Sequence, residues 1–188
     1  MGSPQVNYLN TLAILCAAYL AIFLEAYVGV FRDWVGAQID LTPALMVYCG
    51  LSSGLVTISL TAFCAGLWLD TLSANPLGIS IMPQFLVGLA VYWTRDLVLR
   101  DQPYARVVLG MAGSAAAPLL TVLFLLGGGY NPVIGWGSLW QWLVLTVSGG
   151  VLTPVCFWLF DRLNGAFAYS RTSETTFRPD REIKRGRA

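Results

Sequence analysis

The chain contains no histidine and one lysine, Lys184, and charged residues make up only 11% of its 188 positions. Without histidine, Ser/His and Cys/His nucleophile arrangements cannot form, and a lysine so far along the sequence leaves no Ser/Lys pair in the apolar body. Metal chemistry is equally poorly provided for. Cys16, Cys49, Cys64 and Cys156 lie within apolar segments, form no CxxC pair and read as small buried hydrophobes. There is no GxxxxGK[ST] phosphate loop and no acidic cluster suited to a divalent ion. Ion-driven transporters usually carry charged groups near several helix centres, and the apolar stretches have almost none. These absences predict a non-enzymatic protein with no cofactor, no metal and no nucleic-acid partner.

What is present is apolar surface. Hydrophobic residues account for 56% of the chain and the mean hydropathy is +0.66. That leaves too few polar side chains to coat a water-soluble globule of this size, so the sequence predicts an all-α, polytopic membrane protein. Long apolar spans are legible at residues 8–31, 77–94, 107–126 and 139–160. The first is not expected to be a removable signal peptide: its apolar stretch is long, no basic region precedes it, and it contains Glu25. The net charge of +1 hides an asymmetry. Arg95, Arg100 and Arg106 lie between two spans, seven basic residues follow from Arg162 onward, and Arg32 is the only other one. The positive-inside rule makes both basic regions cytoplasmic, so residues 107–160 form a hairpin with "GGGYNPVIGWGS" at its outer turn.

Between Asp40 and Asp70 lie 29 residues without a charge. As one helix they would reach roughly 43 Å, well beyond a hydrocarbon core of about 30 Å, yet two ordinary spans need about 40 residues. "GLSSG", with Gly50 and Gly54 at its ends, weakens a helix and supplies a turn. Thr42 and Pro43 resemble an N-cap and first helical position, with Asp40 near that positive helix end. The run therefore divides into a short arm, 41–52, and a full helix, 55–72. The competing reading is one long tilted span with Gly50 and Gly54 as a packing face. Six crossings would put both termini in the cytoplasm, with Arg32, Asp33, Asp40 and Asp70 on the outer side.

Several residues are candidates for a role. Glu25, inside a span, is costly in lipid and reads either as an interhelical tie, with Arg32 seven residues on, or as a partner or ligand contact. Asp70 marks a helix end before a tight turn at Asn75, Pro76 and Gly78, as a cap or a recognition group. "GMAGSAAAP" places Gly110 and Ser114 four apart, a face for close helix approach either within the chain or with a partner; Gly50 and Gly54 form a second such face. Pro118 and Pro154 are expected to kink their helices. Trp34, Trp93, Trp136, Trp140, Trp142 and Trp158 fall near span ends, as interfacial anchors do. The expected organisation is one transmembrane domain, 1–165, followed by a basic, mostly disordered cytoplasmic tail, 166–188, suited to anionic membrane lipids.

The segment 55–95, "LVTISLTAFCAGLWLDTLSANPLGISIMPQFLVGLAVYWTR", resembles the MreD family of bacterial rod-shape proteins. The pattern is an apolar helix ending Gly66-Leu67-x-x-Asp70, a short turn, Pro76-Leu77-Gly78, a second apolar helix, and basic residues after it. Many members have an acidic residue directly after the proline that opens the second helix; here Pro43 precedes Ala44, with Asp40 upstream. The resemblance implies a six-helix inner-membrane scaffold of the elongation complex (the elongasome), with a fold similar to the substrate-binding subunits of energy-coupling-factor vitamin transporters and a short second crossing. It implies MreC as partner and, through the complex, MreB, RodA and a class B penicillin-binding protein, in maintaining cell shape through peptidoglycan synthesis. It also supplies a rival reading, a vitamin-binding transporter subunit, although few polar side chains are available to hold a hydrophilic vitamin.

Overall fold

Polar and glycine-containing breaks divide the apolar sequence into helices. The computed structural model describes residues 8–27, 36–73, 75–95, 103–132 and 135–172. Among these, six helices form: α1 (Tyr8–Tyr27), α2 (Thr42–Ser52), α3 (Leu55–Leu72), α4 (Ile81–Thr94), α5 (Pro103–Gly127) and α6 (Trp136–Thr172). Four contain stretches long and apolar enough to cross a membrane, Asn10–Tyr27, Leu55–Leu72, Tyr104–Gly127 and Trp136–Leu163, while α2 and α4 are shorter apolar helices.

The uncharged run from 41 to 69 is two helices and not one tilted span. Ser53 (φ −124°, ψ 176°) and Gly54 (φ −89°, ψ 168°) are extended, which ends one helical hydrogen-bond ladder and starts another. The cap of α2 differs from expectation. Its oxygen comes from Asp40, whose Oδ1 accepts the Thr42 N–H at 2.7 Å, rather than from Thr42 itself. Two further boundaries move. The expected span 77–94 begins at Ile81, because Pro76–Ser80 spends its backbone on a turn in which Pro76 C=O accepts from Ile79 N–H and Gly78 C=O from Ile81 N–H. The last helix continues past 160 to Thr172, so 166–172 is helical rather than disordered tail. Polar side chains end an apolar span without ending a helix. Residues 173–188, and 28–31 of the first expected span, lie outside the described residues, as do Arg32, Asp33, Trp34 and Arg100.

The chain divides into two compact units, Met1–Phe157 and Trp158–Ala188. In the second, α6 continues and the Arg162 guanidinium stands 5.5 Å from the Trp158 ring centre.

Within the first unit, side-chain contacts fix the helix directions. Thr11 and Thr57 hydroxyls meet at 3.1 Å and the Tyr19 and Trp68 rings at 5.2 Å, so α1 and α3 run parallel. Gly66 faces Ile81 while Gly88 faces Ile58, so α3 and α4 are antiparallel. Gly50 faces Val91 and Gly88 faces Met46, aligning α2 with α4. Gly110 faces Thr153, and Trp142 Nε1 donates to Ala115 C=O at 3.0 Å, making α5 and α6 antiparallel. The Gln38–Gln141 pair and the Tyr48–Phe157 ring contact (5.0 Å) align α2 with α6. Successive helices thus alternate in direction.

At about 16 Å, α2 is too short to serve as an ordinary lipid-facing span. It is instead enclosed: every residue from 42 to 51 is buried, against α1, α3, α4 and α5. The interior is built largely of small residues, including Ala18, Ala44, Ala62, Ala65 and Ala117, whereas Leu12, Phe63, Leu123 and Val147 point outward. Close packing of small residues under an apolar exterior is how helices associate where lipid removes the usual hydrophobic drive.

Candidate functional site

The charges of the first unit segregate. Among its described residues, Glu25, Asp40 and Asp70 lie at the end where α1 and α3 finish, and Arg95 and Arg106 lie at the other. Both arginines sit over aromatic faces, Arg95 at 4.2 Å from the Tyr92 ring centre and Arg106 at 4.5 Å from that of Phe157.

Asp70 forms the joint between α3 and α4. Only 2% exposed, it accepts at Oδ2 from Gly78 N–H (2.7 Å) and Ser80 N–H (3.2 Å), and at Oδ1 from Ser80 Oγ (2.5 Å). Gly78 takes φ +91°, which brings its N–H into the turn at little steric cost. One helical turn before Asp70, Gly66 lets the helices touch: a Cβ there would lie 2.7 Å from Ile81 Cα and 2.8 Å from Ile81 N. Gly66, Asp70, Pro76 and Gly78 therefore form one mechanical corner in which the carboxylate is fully engaged.

Glu25 and Asp40 are differently placed. Gln38 Nε2 donates to Glu25 Oε1 at 2.8 Å. Gln141 pairs with the Gln38 backbone as a neighbouring strand would, its Oε1 accepting the N–H (2.9 Å) and its Nε2 donating to the C=O (2.6 Å). Gln141 lies about 7.5 Å along α6 from the helix start, so the 36–41 loop enters the bundle below that end, where exposed backbone needs partners from protein. Asp40 stands close enough to repel Glu25 electrostatically. Burial raises the Asp40 carboxyl above its ordinary range, opposed by hydrogen bonding from Thr42. The Thr42 side chain lies against the Asp40 carboxyl, and the Leu41 backbone N–H against that of Glu25.

The small-residue positions are consumed inside the chain. A Cβ on Gly50 would lie 2.8 Å from Val91 Cβ and 2.9 Å from Gly88 C=O, and one on Gly110 would meet Thr153 and lie 2.5 Å from Gly149 C=O. Ser114 is buried against Gly149, where any added Cβ would strike the serine side chain. These three residues hold α2 to α4 and α5 to α6. Gly54 lies between α2 and α3 as the residue before α3. Trp142, expected as an interfacial anchor, spends its indole N–H on α5, while Trp93 and Trp136 are exposed.

Gln38, Gln141, Ser80 and Gln84 were not singled out by the residue pattern. A glutamine within an apolar helix was the available signal, in "LWQWLV" for Gln141 and "MPQFLV" for Gln84, which is buried with its Oε1 unbonded. Among the described residues no group of three or more His, Cys, Asp or Glu side chains gathers in one place. No protein-family model, curated protein or solved structure matches the chain.

Proposed function

We propose that this chain is a non-enzymatic scaffold of the MreD type in the bacterial inner membrane, binding MreC and thereby helping to organise lateral peptidoglycan synthesis with MreB, RodA and a class B penicillin-binding protein. The observation that carries this reading is the α3–α4 corner. The residues of the resemblance, Gly66, Asp70, Pro76 and Gly78, act together as one joint, which is what a family pattern spread over two helices requires if it encodes architecture. Six crossings, with both termini cytoplasmic and α2 as the short second one, are supported by the alternating helix directions and by the placement of Arg95 and Arg106 at the end opposite the three acids. With Gly50, Gly110 and Ser114 occupied internally, partner binding falls to the outward apolar faces.

Co-purification tests the proposal. The chain is expressed with the MreC-type protein of the same organism, solubilised gently and captured through either component. A complex that persists through size-exclusion chromatography is the expected result. A folded, monodisperse chain that captures nothing overturns it and favours the vitamin-binding reading, for which a ligand screen is the next measurement.

A further inference from the structure

The turn between α3 and α4 satisfies its backbone without water. Four consecutive N–H groups donate inside the chain: Gly78 and Ser80 to Asp70 Oδ2, Ile79 to Pro76 C=O, and Ile81 to Gly78 C=O. The Ser80 carbonyl in turn accepts from Gln84 N–H, and Pro76 has no N–H to satisfy. The Ser80 hydroxyl is spent on Asp70, and both residues are closed off from solvent. What the turn shows to its surroundings is Leu77, 71% exposed and more open than any other described leucine, valine or methionine.

The depth of the turn agrees with this chemistry. α3 has 18 residues, about 27 Å, close to the thickness of a hydrocarbon core of about 30 Å, so its outer end at Leu72 lies near the boundary of that core. Ile81, the first residue of α4, packs against Gly66, one and a half helical turns before that end, so α4 starts about 9 Å deeper than α3 finishes. α4 then covers about 21 Å in its 14 residues, and the two lengths together make up the core thickness, bringing Trp93 and Arg95 to the inner boundary. The chain is polar at Ser73 and Asn75, where the interface falls, and apolar from Pro76 to Ile81 apart from the engaged Ser80.

We propose that Pro76–Ser80 is a membrane-embedded turn in the hydrocarbon of the outer leaflet, and that its Leu77 face binds lipid acyl chains. Non-helical backbone is tolerated at that depth only where protein supplies its hydrogen-bond partners, and Asp70 supplies them here. A turn facing water would have had its donors satisfied by solvent and would gain nothing from an exposed leucine at its tip. The inference rests on the six-crossing reading, in which α4 is a span.

The test uses the full, unaltered chain in phosphatidylcholine vesicles at no more than one chain per vesicle, so that no second protein covers the turn. Hydroxyl radicals generated in the water report exposure to water, and a phosphatidylcholine carrying a diazirine midway along one acyl chain reports contact with lipid; both are read by mass spectrometry. Leu77 should react with radicals about tenfold less than in the same peptide free in solution, as should Leu60 on the outward face of α3, whereas Tyr130 beyond the end of α5 should react nearly as its free peptide does. The diazirine lipid should label Leu77. Radical modification of Leu77 to the level of Tyr130, with Leu86 in the middle of α4 protected, overturns the proposal and leaves α4 as a span. Modification of Leu86 as well overturns the six-crossing reading together with the proposal. Protection of Leu77 without labelling by the acyl probe also overturns the proposal, since something other than lipid then covers the tip.

Discussion

Asp70 and the Glu25–Asp40 pair lie at the same end of one bundle, and they have opposite economies. Asp70 receives three hydrogen bonds from Gly78 and Ser80 and is closed off from water. Glu25 is engaged by the Gln38 side chain and the Leu41 backbone, and lies beside a second carboxyl group. A buried acid whose acceptors are all engaged by its own chain is a structural fastening, whereas two carboxyl groups side by side repel when both are charged. Sequence position alone does not separate Glu25 from Asp70, since each lies in the last turn of an apolar helix.

The largest effect should come from breaking the fastening. Asp70→Ala leaves two backbone donors and the Ser80 hydroxyl buried without an acceptor, and should cost roughly 3 kcal/mol or more in unfolding measured in detergent. Gly66→Ala comes next, because its Cβ would press on Ile81 backbone rather than on a flexible side chain; a loss of about 1–3 kcal/mol is expected, and an unchanged midpoint would mean that α3 and α4 are further apart than described. On the other side of the comparison, Gln141→Ala frees the Gln38 N–H and C=O, for an expected loss of about 1–3 kcal/mol with an intact α3–α4 corner by cysteine crosslinking.

Asp40→Asn should have a smaller effect with a distinctive sign. The folded chain holds the Asp40 proton more tightly than the unfolded chain does, so this group favours folding at low pH and the benefit is lost as pH rises through its raised folded value. With Glu25 facing it from α1 and Thr42 from α2, the variant should match or trail the unaltered chain near pH 4 and exceed it at neutral pH and above. A parallel pair of melting curves across pH would contradict the burial of Asp40. The smallest effect is expected for Phe23→Ala, on the outward face of α1 beside Tyr19 and Tyr27, within about 0.5 kcal/mol.

Helix positions were legible where the signal is local. Gly54 and Ser73 bracket α3, and the serine and glycine at 53–54 divide the uncharged run, because backbone breaks are written in adjacent residues. The turn at Pro76 and Gly78 was legible but not its length: Leu77 and Ile79 are as apolar as the helix that follows, and hydropathy does not register that the turn runs on to Ser80. Small-residue spacing identified Gly50, Gly110 and Ser114 as close-contact positions but not what they contact, since the same Gly/Ser pattern serves internal and external packing. The Gln38–Gln141 pairing spans 103 positions and depends on α2 and α6 being neighbours, which no local pattern encodes.

The enclosed position of α2 has a consequence for how the protein is made. An apolar segment of 11 residues is too short to halt stably in the bilayer during synthesis, and its hairpin mate α3 covers only part of it. The remaining walls, α4 and α5, emerge from the ribosome later. Until they arrive, α2 lacks the packing that makes it tolerable in lipid. The packing around α2 is therefore complete only once α5, and then Phe157 of α6, have been made.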